Sequence, residues 1–264
     1  MYATVPTDAS LSKNRLVAAL PEAERELLEA NATFVELPRK RLLYDANQPI
    51  EAVYFLIDGI ASVLSVMVDG TAVETATIGR EGMIGMARFH GVDMTPEQAM
   101  MQVSGRGYRV DAETFAALLP QLPALTALLH RFSVVMFTLA AQNSGCNRKH
   151  SIEQRCCRWL LMVYERLERD TFDLTHDFIA QMLGVRRASV TETLGLFEKR
   201  GFIEMGRGRI KVIDRAGLEG CCCECFSVIQ SVVRRLLRGE AMRNPLAGVK
   251  TSEDGESTLG PPFG

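Results

Sequence analysis

The period of the hydrophobic positions changes several times along the 264-residue chain, and those changes divide it. A polar start over residues 1–12 reads as disordered. In "NRLVAALPEAERELLEAN", Leu16, Leu20, Leu27 and Leu28 fall at helical spacing and predict one or two short helices. From Thr33 the chain turns to short β-rich runs, "TFVELPRKRLLYDANQPIEAVYFLIDGIASVLSVMVDGTAVETATIG". Asp58-Gly59 and Asp69-Gly70 punctuate them, and Asp-Gly between apolar runs is a strong hairpin signal. "AMMQVSGRGYRVDAETFAALL" adds two more strands and then a helix that begins near Ala112. Short strands at this spacing predict a sandwich or a jelly roll.

Residues 123–147 form one long helical segment. Leu125, Leu128, Phe132, Val135, Leu139, Gln142 and Cys146 alternate in steps of three and four, with Leu129 and Met136 widening the stripe. That is a heptad seam over about three repeats, the lower limit for a coiled coil. It fits a dimer interface, and it also fits a helix packed against its own domain. From Ser151 the order is helix, helix, turn, helix, hairpin. The hairpin is "GFIEMGRGRIKVID", in which Gly206 and Gly208 separate two β-rich runs. A cysteine cluster, a short helix "SVIQSVVRRLLRG" and a polar tail from Asn244, expected to be disordered, complete the chain.

Composition changes the picture only through its distribution. The hydrophobic fraction of 47% is ample for real cores, and the net charge of −2 names no partner. Residues 1–120, however, carry ten Lys/Arg against sixteen Asp/Glu, whereas residues 186–215 carry eight against four. An acidic front and a basic back suggest different partners. No apolar run approaches the roughly 20 residues of a membrane helix, and the N-terminus lacks the features of a signal peptide. The expectation is a cytoplasmic protein without a membrane partner, whose seven cysteines are thiols rather than disulfides.

The stretch 174–203 reads as a helix-turn-helix. Thr175 is the N-cap of a helix whose first N–H groups can hold a DNA phosphate; Phe178, Ile179 and Met182 face the core; small Ala180 permits a close crossing; Gly184 supplies the turn. Val185, Val190, Leu194 and Phe197 also turn inward. Arg186, Arg187, Ser189, Thr191 and Glu192 are left for a face that would enter a major groove of double-stranded DNA. Arginine matches guanine O6 and N7 with two parallel donors, and glutamate accepts from cytosine N4. Two arginines at a helix start oppose the helix dipole, so negative charge is expected from outside. Arg207, Arg209 and Lys211 on the hairpin would bind phosphates, adding affinity and salt dependence but little base choice.

These residues carry a family resemblance. "LTHDFIAQMLGVRRASVTETLGLFEKRGFI", "GRGRIKVID" and "YFLIDGIASVLSVMVDGTAVETATIGREGMIG" resemble the Crp/Fnr family of bacterial transcription regulators, over roughly residues 15–225. The resemblance implies an α+β chain. A β jelly roll, cyclic-nucleotide-binding-like, occupies 15–122, and a dimerisation helix with hinge 123–150. A winged helix-turn-helix follows at 151–220, then the cysteine cluster, short helix and tail at 221–264. It implies a homodimer on a pseudo-palindromic site, with Leu125, Leu128, Phe132, Val135, Leu139 and Cys146 pairing two chains. RNA polymerase would be a further partner.

The chain departs from that pattern at the effector. Members that bind cyclic AMP use a Gly-Glu pair for the ribose and an Arg-Ser/Thr-Ala motif for the phosphate. The corresponding stretches here are Gly85-Met86 and Glu97-Gln98-Ala99. A glutamate in place of the phosphate arginine repels an anion that needs a cation. The pocket is therefore expected to be degenerate and the effector unknown, with Arg88 a weak substitute for the missing cation.

Iron–sulfur members place cysteines near the N-terminus, and this chain has none before Cys146. The run "CCCECF" from Cys221 suggests a soft metal, but side chains of successive residues diverge, so no metal is assigned. Histidines at 90, 130, 150 and 176 form no obvious ligand set, and no catalytic motif is present, so no enzyme activity is expected. Cys146, on the seam, would form an inter-chain disulfide on oxidation. A thiol- or metal-responsive sensor using Cys146 or Cys221–Cys225 is the alternative reading.

Overall fold

Ala9 and Leu11 are buried and Leu11–Lys13 forms a 3-10 turn, so the start of the chain is ordered earlier than its polarity suggests. These positions come from a computed structural model that describes residues 9–167, 169–238 and 240. The remainder of the polar start and the tail from Asn244 lie outside the described residues. The Tyr108 hydroxyl donates to the Ala9 carbonyl and fixes the entry. Two helices follow, α1 (Arg15–Ala18) and α2 (Glu22–Ala30). Asn14 caps α1 and also donates to the carbonyls of Leu56 and Gly82, both at 3.0 Å.

Eight strands come next: β1 (Thr33–Leu37), β2 (Leu42–Tyr44), β3 (Ala52–Leu56), β4 (Ile60–Val66), β5 (Ala72–Ile78), β6 (Met83–Ile84), β7 (Glu97–Val103) and β8 (Gly105–Asp111). A short α3 (Met86–Phe89) precedes β7, and α4 (Ala112–Leu118) follows β8, capped by Asp111. The strands form two antiparallel sheets, β1-β8-β3-β6 and β2-β7-β4-β5.

Asp69-Gly70 closes a hairpin, with Val66 opposite Ala72 in the β4–β5 register. Asp58-Gly59 does not. Strands β3 and β4 lie in different sheets, so this turn carries the chain from one sheet to the other. The Ser104-Gly105 step does the same between β7 and β8, and the two crossings touch. A Cβ on Gly59 would lie 2.7 Å from the Gly105 Cα, and one on Gly105 would lie 2.1 Å from the Asp58 carbonyl oxygen. Only glycine allows that approach, and Gly59 also has φ +82°. The Asp-Gly signal marks the turn correctly; the glycine contact decides that it is a sheet switch.

The long helix α5 (Pro123–Lys149) packs against β5. Glu24 of α2 caps it, its carboxylate accepting from the amides of Ala124 (2.9 Å) and Leu125 (3.0 Å). A carboxylate there also meets the positive end of the helix dipole. The chain breaks at His150 and restarts as α6 (Ile152–Leu167), where Ser151 and Gln154 exchange reciprocal cap bonds of 3.2 and 3.0 Å. Then come β9 (Thr171–Asp173), α7 (His176–Leu183), α8 (Arg187–Lys199), β10 (Ile203–Gly206) and β11 (Arg209–Val212). Strands β10, β11 and β9 form a small antiparallel sheet. Helices α9 (Arg215–Cys221) and α10 (Cys225–Arg238) close the described chain, and α10 packs along α5.

By length and composition alone, α5 is apolar enough to cross a membrane, which corrects the expectation that no run comes near that length. The apolar residues divide between two stripes, one packed on the chain's own core and one exposed.

Candidate nucleic-acid interface

Helix α7 begins where Thr175 accepts from the Phe178 amide at 3.3 Å. It ends at Gly184, whose φ of +62° is the left-handed geometry that a closing glycine adopts. The Val185 amide returns to the Ala180 carbonyl at 3.0 Å, and the chain then enters α8. Phe178, Ile179, Ala180 and Met182 are buried with Val190, Leu194 and Phe197, so the two helices share one core. The wing is attached to this unit: Glu198 accepts from the Met205 amide at 3.0 Å.

Local packing leaves the first turns of α8 outward. Arg186, Arg187, Thr191 and Glu192 are exposed and Ser189 is half-buried. Arg187 reaches Asp177 at 3.4 Å, yet both side chains stay two-thirds exposed. Such a pair is worth under about 1 kcal/mol and yields readily to a phosphate or base. Asp177 was not anticipated, and neither was His176, whose Nδ1 lies 2.9 Å from the Thr191 hydroxyl. Both belong to the first turn of α7, so only the helix crossing brings them to α8.

On the wing, Arg207, Arg209 and Lys211 are exposed while Ile210 and Val212 are buried, the alternation expected of a half-buried strand. Arg209 pairs with Asp173 at 3.0 Å and Lys211 with Asp170 at 3.8 Å, all four exposed. The wing is therefore cationic mainly at its tip, near Arg207.

The five residues named for the effector pocket lie on strand and helix starts. Gly85 takes φ +91° at the start of α3, and Met86 packs against the core. Glu97, Gln98 and Ala99 pair in register with Ser65, Leu64 and Val63. Ala99 is fully buried, and Glu97 acts on Tyr44, whose hydroxyl pKa is raised chiefly by burial. Arg88 is already engaged by Glu113. Nearby, the Phe132 ring stands where any side chain on Gly82 would be, so α5 and the sheets meet without a gap there.

The heptad stripe requires a correction. Leu125, Leu128, Phe132, Val135, Leu139 and Cys146 are all buried within their own chain. Gln142 donates to the Cys225 thiol at 3.0 Å, again within the chain. These residues are the inner face of α5. The open face is a second heptad stripe two residues further on: Ala127, His130, Val134, Phe137, Ala141 and Ser144. Phe137 is 75% exposed and Val134 51%.

The cysteines are corrected as well. Cys146 faces Cys223 of the same chain, Sγ to Sγ 3.6 Å, and is fully buried, so it is not placed for an inter-chain disulfide. Cys156 and Cys157 are both in the core, and burial pushes the Cys156 thiol up to about 12.

A buried polar seam joins the sheets to the helix-turn-helix half. Trp159 of α6 donates its indole N–H to Glu74 of β5 at 3.1 Å. Arg166 meets Glu81 at 2.7 Å. Asn143 donates to the Thr75 carbonyl at 2.7 Å and accepts from Arg158 at 2.6 Å. Arg39 stacks over Phe178 at 4.8 Å from the ring centroid.

The site is thus the open recognition face of a winged helix-turn-helix, joined by a long helix to two antiparallel sheets. Residues 154–221 match the Crp-like helix-turn-helix domain family. The chain is 24% identical over 222 residues to the global nitrogen regulator of Synechocystis, covering 80% of this chain and 97% of that one. It is 21% identical over 187 residues to the CRP-like cAMP-activated global transcriptional regulator of Mycobacterium tuberculosis, covering 68% and 84%. Its fold is similar to that of FixK2 from Bradyrhizobium japonicum, with a TM-score of 0.63 and 16% identity over 73% of this chain and 98% of that one. Together these findings support a Crp/Fnr family transcription regulator.

Proposed function

We propose that this protein acts in the cytoplasm as a homodimer on a pseudo-palindromic DNA site, with α8 of each copy in a major groove. The observation that carries the reading is the start of α8: Arg186 and Arg187 project from a helix tip, and the neighbouring acid, Asp177 of α7, holds Arg187 only at the surface. Arg187 reads a guanine, Glu192 and Ser189 lie along the same face, and Arg207 and Arg209 grip phosphates beside it. The Thr175 end of α7 offers backbone amides to the phosphate chain.

The second copy docks along the exposed stripe of α5, around Val134 and Phe137, and sets two recognition helices about 34 Å apart. The effector is not a cyclic nucleotide bound through the usual contacts. Glu97 stands where the phosphate needs a cation, and Arg88 is spent on Glu113.

Selection of bound sites from a random duplex pool, followed by anisotropy titration, tests the first part. Arg187→Ala should cost about 1–3 kcal/mol on the preferred site and relax choice at one base position per half-site. Uniform weakening on all sequences would make Arg187 a phosphate contact instead. Sedimentation tests the second part. Phe137→Glu removes apolar burial worth about 1.5–3 kcal/mol per copy and should raise the dimer dissociation constant at least tenfold. An unchanged dimer would place the interface elsewhere.

A further inference from the structure

Four side chains that sequence spacing scatters over 80 positions converge at the hinge between α5 and α6. Cys146, His150, Cys223 and Cys225 bring their Sγ and imidazole nitrogen atoms within 4.8 Å of one another, with the three cysteines buried. We propose that they form a mononuclear tetrahedral metal site for a thiophilic divalent ion, zinc in the first instance.

The geometry argues for a single ion. Zinc bonds of about 2.3 Å to sulfur and about 2.0–2.1 Å to nitrogen set neighbouring ligand atoms about 3.5–3.8 Å apart. Cys146 and Cys223 are 3.6 Å apart, and Cys225 Sγ lies 3.5 Å from His150 Nδ1. In an iron–sulfur cluster the four protein ligands are shared among two or four irons bridged by sulfide, which needs a wider cage.

The surroundings are those of a ligated site. His150 presents Nδ1 to Cys225 while its Nε2 lies 3.2 Å from Glu224, the carboxylate–histidine arrangement that fixes a metal-binding tautomer. Gln142 donates to the Cys225 sulfur. Ion binding takes the protons from three thiols and leaves a centre of net charge −1. The buried guanidiniums of Arg155 and Arg158 lie close enough to act on the Cys146 charge, and the Nε–H of each has no hydrogen-bond partner among the described residues.

Cys146 sits in the last turn of α5 and His150 just past its end, while Cys223 lies in the α9–α10 link and Cys225 opens α10, so the ion pins the hinge. Arg155 also donates to the Leu183 carbonyl, immediately before the Gly184 turn of the DNA-binding motif.

The full chain, reduced and loaded with Zn²⁺ alone, should hold one zinc per chain by elemental analysis. Co²⁺ in its place should give the intense ligand-field bands of a tetrahedral site with thiolate charge transfer. Cys223→Ser and His150→Gln should lose the ion while circular dichroism shows the fold retained. Glu224→Gln, which leaves every ligand in place, should weaken affinity about 10–100-fold. Cys222→Ser should keep full stoichiometry. Zinc should also slow amide exchange across residues 145–152.

Substoichiometric zinc in the reduced protein, iron with acid-labile sulfide after anaerobic purification, or full retention in Cys223→Ser would overturn the site. Unchanged exchange on loading would overturn the pinning. None of these readouts involves DNA, so they stand apart from the reading of α8.

Discussion

Arg166→Met should destabilise the protein by about 3–5 kcal/mol, because it strands a buried carboxylate. Arg166 and Glu81 meet at 2.7 Å with each side chain only 9% exposed. The guanidinium also donates to the carbonyls of Met162 at 3.2 Å and Thr77 at 3.3 Å. Without it, Glu81 still accepts from the Gly79 amide, at 3.2 Å. Denaturant titration followed by circular dichroism measures the loss. A second variant separates stranding from the worth of the pair. Arg166→Met combined with Glu81→Leu removes both charges and should recover most of the stability, since a well-packed apolar pair is often as good as a buried ion pair. A single-variant loss under about 1 kcal/mol would show that water reaches the pair and that it behaves as a surface bridge.

The second large effect is at Glu74, where the folded protein holds a proton that the unfolded chain gives up. Burial raises its pKa from the ordinary 4.5 to about 7, against the opposing pull of the Ser62 hydroxyl bond and the Arg158 charge. The carboxyl is buried and accepts from Ser62 at 2.7 Å and from Trp159 at 3.1 Å. Because the folded pKa lies above the unfolded one, the folded state binds the proton more tightly. Stability is greatest below about pH 4.5 as far as this group is concerned. It falls as pH rises towards 7 and stays reduced above, by up to about 3 kcal/mol.

Glu74→Gln should abolish that slope and exceed the parent protein in stability at pH 8. Its amide oxygen accepts from the indole, and its NH₂ donates to Ser62, whose hydroxyl turns to Gln102 Oε1 at 3.1 Å. Denaturation midpoints between pH 5 and 8 decide the matter. A Glu74→Gln profile parallel to that of the parent would mean that Glu74 is ionised throughout.

The contrast between what the chain declares and what it conceals follows contact distance. The α7–Gly184–α8 unit was legible because its determinants are local: a cap, a left-handed glycine and a helical stripe of apolar residues within thirty positions. The exposed arginines at the tip of α8 follow from the same stripe by subtraction. The inner and outer faces of α5 were not separable, since Leu125–Leu139 and Ala127–Phe137 both repeat with heptad spacing. The larger side chains of the first stripe suit the chain's own sheets as well as a partner. Asp58-Gly59 announces a turn but not its destination, which depends on Gly105, 46 positions later.

The hinge cluster had one local trace. Cys146 lies in the last turn of α5 and His150 caps that turn, its amide bonded to the Cys146 carbonyl at 3.0 Å. The other half, Cys223 and Cys225, reaches that turn only because α10 folds back along α5. Glu24 capping a helix a hundred residues away is hidden for the same reason.

The protein contains one tryptophan, and it sits at the junction between the sheets and the DNA-binding half. Trp159 is 2% exposed, with its N–H on Glu74. Its intrinsic emission is thus an optical gauge of that junction, free of any attached dye. A short-wavelength band marks the two halves as closed, and a red shift marks water arriving between them. Any change in the docking of the halves is readable in a cuvette from the native chain.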